Sequence, residues 1–279
     1  MHRNASTRFA QNFQFAHGRF LRPAALALLC LLAISVSASQ ELRVAAAADL
    51  QFAMKDLAAS YEAKTKQVVT IIYGSSGNFF TQIQNGAPFD LFFSADISYP
   101  QKLIDAGLAE RPTLYSYAFG RLVLWAPPDS HLNLAVKGLS ALLDPQITKI
   151  AIANPEHAPY GKAAVAALQK AGLYDQVKSK FVFGENISQT AQFVQSGSAQ
   201  IGLIALSLAI SPAMQNGERW LVPADLHPLL EQAVVLISAS KNNAAAASFL
   251  DFVKSAESKT ILAKYGFTTA QISAGETKP

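Results

Sequence analysis

The stretch Tyr73-Gly-Ser-Ser-Gly-Asn78 combines residue types that can hold an anion without a cation. An apolar, β-branched run from Val68 to Tyr73 precedes it and reads as a buried strand. Phe79, Phe80 and Ile83, with polar Thr81, Gln82 and Gln84, follow and read as a helix. A turn between strand and helix presents the free N–H groups of the first helical turn, which carry partial positive charge. Gly74 and Gly77 let the backbone approach a ligand closely, and the two serines add uncharged hydroxyl donors. The plainer reading is that Ser76 only caps the helix. Two further segments share the setting. Ala48-Asp49 and Glu185 to Ser188 each lie between a strand and the start of a helix. In an open parallel sheet, ligands bind beyond the carboxyl ends of strands, where such turns converge.

Other chemistries find less support. Gly74-Ser-Ser-Gly77 suggests the serine nucleophile of a secreted hydrolase, but the Gly-x-Ser-x-Gly pattern is absent there. His131, His157 and His227 are the histidines beyond residue 38, and His157 reads as a loop-packing residue rather than a base. The histidines are widely separated, with no His-x-x-x-His spacing, so no direct metal-ion ligands are expected. Asp90 and Asp96 flank a strand and read as capping or pairing residues. Phe79, Phe80, Phe92 and Phe93 read as core.

The elements that must position these turns alternate along the chain. Leu42 to Ala46 is a strand, and Leu50, Ala53, Met54, Leu57 and Tyr61 then share one helical face, with Asp49 at the N-cap position. Asp90 to Ser94, Gly120 to Trp125, Ile150 to Ala153, Phe181 to Phe183, Ile201 to Leu206 and Gln232 to Ile237 read as strands, most of them followed by helical patterns. This argues for α/β architecture built on mostly parallel sheets flanked by helices.

Residues 1–38 read as a leader. Arg3, Arg8, Arg19 and Arg22, with no acidic residue, flank and precede an apolar run of 13 residues from Ala24 to Val36, and small residues end it. The run is short of the ~20 residues a spanning helix needs. Leu29 stands before Cys30 where a lipidation site would want a small residue. The whole chain of 279 residues has 23 basic and 19 acidic residues. Removing the four leader arginines leaves 19 of each, so the basic balance is no sign of a nucleic-acid partner. Cys30 is the one cysteine, so the remaining chain has neither disulfides nor thiolate chemistry.

Taken together, Ala45-Ala-Ala-Ala-Asp-Leu50, Gly74-Ser-Ser-Gly77, Gln82-Ile-Gln-Asn-Gly-Ala-Pro88, Leu91-Phe-Phe-Ser-Ala-Asp96, Asn154-Pro-Glu-His-Ala-Pro-Tyr-Gly161 and Tyr265-Gly-Phe267 resemble the periplasmic molybdate-binding proteins of ABC transporters, in order and across essentially all of the chain after the leader. The resemblance implies a type II periplasmic binding fold of two α/β lobes joined by two crossing segments, without catalysis. Lobe 1 would comprise residues 39–121 and 230–279 and lobe 2 residues 122–229, with hinges near Ala118 to Leu122 and Leu230 to Val234. It implies a small inorganic oxyanion, molybdate or tungstate, held by hydroxyl and amide donors, and a membrane permease as partner. No cofactor is expected, nothing in the sequence suggests more than a monomer, and the leader reads as directing a cleaved, periplasmic protein. Carried over by position, Ser76 is the serine donor, Asp49 stands where relatives often have Ser or Asn, and Tyr160 and Ile187 offer backbone amides. Ala205 falls where some relatives place a tyrosine, so the Tyr160 phenol becomes a candidate substitute. Another small anion is the alternative ligand.

Asp49 does not fit simply, because a carboxylate repels a dianion. Three readings stand open: the side chain caps its own helix and only the backbone N–H faces the ligand; the carboxyl holds a proton and donates; or the ligand is not a dianion. The first is the working hypothesis.

Overall fold

The structure is a computed structural model that describes residues 41–268. The leader expected over residues 1–38 and the end of lobe 1, residues 269–279, lie outside the described residues.

The first sheet begins with β1 (Leu42–Ala47), which passes through a 3-10 turn (Ala48–Leu50) into helix α1 (Gln51–Thr65). Then come β2 (Val69–Gly74), α2 (Ser76–Gln84), β3 (Leu91–Ser94), α3 (Ser98–Asp105) and β4 (Tyr115–Gly120). The chain crosses at Arg121 into a second sheet. There β5 (Leu122–Ala126), β6 (Ile150–Ala153), α4 (Pro159–Lys170), β7 (Phe181–Gly184), α5 (Ile187–Gln195), β8 (Ile201–Ala205), α6 (Leu206–Ala209) and β9 (Glu218–Leu221) follow. It returns through residues 222–229 to β10 (Leu230–Leu236), then α7 (Ala244–Val253) and α8 (Ala256–Lys264). The second crossing thus precedes Leu230 to Val234, which lie inside β10.

The strand orders are β2-β1-β3-β10-β4 and β7-β6-β8-β5-β9. The architecture is two α/β lobes, and each sheet is mixed. In the first, β1 runs parallel to β2 and β3, and β10 runs antiparallel to β3 and β4. In the second, β6 runs parallel to β7 and β8, and β5 runs antiparallel to β8 and β9. The antiparallel pairs come from strands next to the crossings, whose direction is set by the chain changing sheets. The parallel pairs end in step, Ala47 beside Gly74 and Ala153 beside Gly184. Their turns therefore open at the same edge of each sheet.

Period-two alternation divides the first lobe's core. Phe93, Val44 and Ala46 pack with Leu57, Tyr61 and Phe249 under α1, α7 and α8, whereas Phe92 and Ala45 pack with Phe79, Ile83 and Leu103 under α2 and α3. Phe79, Phe92 and Phe93 are buried as core, and Phe80 packs partly buried beside them. The second lobe has its own core around Leu124, Trp125, Ile152, Leu168 and Ile201. The buried strand expected over Val68 to Tyr73 is instead an edge strand: Val68 is 64% and Ile72 40% exposed. A β-branched apolar run fits an edge as well as a centre, because pairing on one side still satisfies the pleat.

Candidate functional site

Five strand ends converge on one pocket. It is lined by Ala47, Ala48 and Asp49 after β1, Gly74 to Ser76 after β2, Ala95 after β3, Ala158 to Tyr160 after β6, and Ile187 after β7. Asp49, Ser76, Tyr160 and Ile187 are thus brought together from two lobes. The empty space is about 200 Å³, mouth included, below the ~300–1,000 Å³ of pockets for drug-sized molecules. No Lys, Arg or His lines it, and no cluster of potential metal ligands occurs among the described residues.

Each turn is built locally. Ser75, not Ser76, caps α2, its Oγ accepting from the Asn78 amide at 3.4 Å. Ser76 is fully buried, and its Oγ accepts from the Ala95 amide at 2.9 Å, which leaves its hydroxyl proton for another acceptor. Asn186 caps α5, its Oδ1 accepting from the Ser188 and Gln189 amides at 3.0 Å each. Ile187 is the first helical residue, and its amide is the one in that turn the cap does not engage. Pro159 opens α4, the position where a missing N–H costs nothing, so Tyr160 carries the first amide of that helix.

Asp49 departs from the working hypothesis. It lies inside a 3-10 turn and makes no side-chain cap bond. Its carboxylate instead reaches across the lobes. Tyr160 of α4 donates its phenol to Oδ2 at 3.0 Å, and Gln232 of β10 donates its Nε2 to the same oxygen. Tyr117 of β4 donates to Gln232 Oε1 at 2.8 Å. Ser207, on α6, donates its Oγ to the Asp49 carbonyl at 2.7 Å. One carboxylate therefore joins the two lobes through Tyr160 and Gln232, and Gln232 in turn ties β10 to β4 through Tyr117. The arrangement needs Gly120: a Cβ there would stand 2.2 Å from the Tyr160 hydroxyl and 2.7 Å from Gln232 Nε2. A register shift between Gln232 and Ala233 breaks the β10–β4 ladder beside it.

Asp49 Oδ1 is buried with no hydrogen-bond partner. Burial raises the Asp49 pKa from 3.8 to about 6, against the opposing pull of Gln232, Tyr160 and the Asp49 and Leu50 amides. Burial and the nearby Asp49 charge hold the Tyr117 and Tyr160 phenols well above their ordinary value. The Tyr160 phenol is therefore committed to Asp49 rather than substituting for the hydroxyl that Ala205, buried at the start of α6, does not supply.

The lobes also meet through further hydrogen bonds. The Gly77 amide donates to the His157 carbonyl at 2.9 Å. Asn78 Nδ2 donates to Glu185 Oε1 at 2.6 Å, and Ser188 Oγ to Gln51 Oε1 at 2.7 Å. Lys162 donates to the Tyr99 hydroxyl at 2.9 Å, and its ammonium lies 5.0 Å from that ring's centroid. Within the second lobe, His157 packs against the turn after β7, its Nε2 2.9 Å from the Glu185 carbonyl oxygen. Asp90 and Asp96 accept backbone or side-chain N–H bonds from Arg43, Asn243 and Ser98. Sequence reasoning missed Gln232, Tyr117 and Ser207. A glutamine amid the apolar run of β10 was the one available signal.

The chain matches known proteins over most of its length. The model of the bacterial extracellular solute-binding protein family matches residues 42–268. A relative described as molybdate-binding protein ModA of Rhodobacter capsulatus is 38% identical over 250 residues, 89% of this chain and 97% of that protein. ModA of Azotobacter vinelandii is 38% identical over 239 residues, 85% and 93%. The solved periplasmic molybdate-binding protein of Azotobacter vinelandii superposes with a TM-score of 0.77 at 32% identity, covering 83% of this chain and all of that one. With two lobes facing one small pocket at the carboxyl ends of their strands, this chain belongs to the bacterial extracellular solute-binding protein family, whose work is binding for transport rather than catalysis.

Proposed function

We propose that this protein captures molybdate, and tungstate of nearly the same size, between its lobes in the periplasm and delivers it to the membrane permease of an ABC importer. The observation that carries the reading is the convergence of five strand ends on one small pocket without a Lys, Arg or His. Such a pocket suits an ion recognised by size and by hydroxyl and amide donors. Relatives 38% identical over nearly their whole length are described as molybdate-binding. In this reading the Ser76 hydroxyl and the amides of Asp49, Tyr160 and Ile187 hold the oxygens through hydrogen bonds, with no bond from protein to metal. Each lobe supplies part of the set, so the anion favours the closed form over the open one. The working protein is a monomer freed of its leader, with no cofactor and no nucleic-acid role. A second reading, a small anion of lower charge, is favoured by one observation: Asp49, whose carboxyl is buried, is among the residues that line the pocket.

Isothermal titration calorimetry with molybdate, tungstate, sulfate and phosphate tests this. Sulfate is smaller and leaves donors unengaged, each charge-assisted bond contributing roughly 1.5–3 kcal/mol. Molybdate and tungstate are expected to bind about a hundredfold or more tighter than sulfate, the equivalent of one to two such bonds. Equal affinities for sulfate and molybdate would overturn the assignment.

A further inference from the structure

We propose that Asp49 binds the anion as a carboxylic acid, so that each oxyanion captured between the lobes brings one proton into the protein, carried on Asp49 Oδ1. The inference rests on the function proposed above and concerns the same pocket.

The geometry separates the two carboxyl oxygens. Oδ2 accepts from Tyr160 and Gln232, whereas Oδ1 is buried and has no partner. An ionised carboxylate left this way keeps an acceptor unsatisfied, away from water. A proton on Oδ1 turns that acceptor into a donor while Oδ2 keeps both bonds. The groups that face the side chain supply no compensating cation. They are the backbone amides of Asp49 and Leu50, Tyr160 on α4 and Gln232 on β10, with Tyr117 on β4 behind Gln232. Ser207 on α6 engages only the Asp49 carbonyl. The phenols are held neutral by burial and by the Asp49 charge itself. Arg121, at the first crossing, lines a different pocket with His227. An arriving dianion therefore meets either a buried negative charge or a neutral acid, and like charge at short range in a dry pocket drives the carboxyl toward its protonated form. The direction agrees with the raised pKa before any anion is present. A neutral acid also resolves the conflict between a buried carboxyl on a residue that lines the pocket and a doubly charged cargo.

The test counts protons. Molybdate is titrated calorimetrically into the mature protein at pH 7.5 in two buffers of different ionisation enthalpy. Molybdate is fully ionised there, so any proton taken up belongs to the protein. Wild type is expected to take up about one proton per anion, and its affinity to fall about tenfold per pH unit between pH 7 and 8. Asp49→Asn carries an amide donor in place of the acid and is expected to bind with no proton uptake and no pH slope. Tight molybdate binding by wild type without proton uptake would overturn this inference and leave the proposed function standing. An uptake that persists in Asp49→Asn would assign the proton elsewhere and also overturn it. Failure of every oxyanion to bind would overturn both. The wild-type proton count decides even where the variant folds poorly.

Discussion

Removing the charge of Asp49 without changing its shape should stabilise the ligand-free protein, and the gain should depend on pH. The carboxyl's pKa rises from 3.8 in a free chain to about 6 in the folded one. Between those values the folded state binds more protons than the unfolded state. Stability contributed by this group therefore falls as pH rises through the window, and the penalty is complete above the folded pKa. A shift of about 2 pH units at 1.36 kcal/mol each amounts to about 3 kcal/mol. Asp49→Asn escapes the penalty. Its amide can accept from Tyr160 and Gln232 on one side and place its NH2 where Oδ1 lacks a partner. Urea unfolding of both proteins from pH 4 to 8 is the assay. The variant's advantage should be about 3 kcal/mol above pH 7, roughly half that at pH 5, and nearly gone at pH 4. For a domain of this size that corresponds to roughly 6–12 °C in Tm at pH 7.5. A difference that stays constant from pH 4 to 8 would refute the reasoning, because it would mean that Asp49 ionises alike in both states.

Three further variants test the same geometry. Gly77→Ala would place a Cβ 2.6 Å from the His157 carbonyl oxygen, against backbone that cannot yield, so the lobes must part and lose the Gly77 amide bond; oxyanion affinity measured by calorimetry should fall roughly tenfold, the equivalent of one such bond. Ser76→Ala leaves the buried Ala95 amide unpaired and should cost about 1–3 kcal/mol in urea unfolding without ligand. The same variant should weaken anion binding by a further bond's worth, and an unchanged affinity would remove Ser76 from the site. Lys162→Met severs a contact between the lobes, with the Tyr99 hydroxyl and ring, worth about 0.5–1 kcal/mol, and should weaken capture about two- to fivefold by calorimetry; an unchanged affinity would show that this contact does not hold the lobes together around the anion.

Local pattern carried much of this protein. The apolar run of β1, the shared face of Leu50, Met54, Leu57 and Tyr61, and the Gly-Ser-Ser-Gly turn are written in neighbouring residues, because strand, helix and cap are governed by interactions a few residues apart. That is why Ser76 and Ile187 were legible as ends of elements. What folding alone decided is longer in range. The Asp49 carboxylate meets Tyr160 and Gln232 over separations of 111 and 183 residues, and no local pattern distinguishes an aspartate that caps its own helix from one bonded across two lobes. The mixed pairing of each sheet, the exposed edge position of β2 and the unpartnered Asp49 Oδ1 belong to the same class. Each depends on which strands become neighbours once the chain crosses twice between lobes, and on how much water that leaves beside a charge.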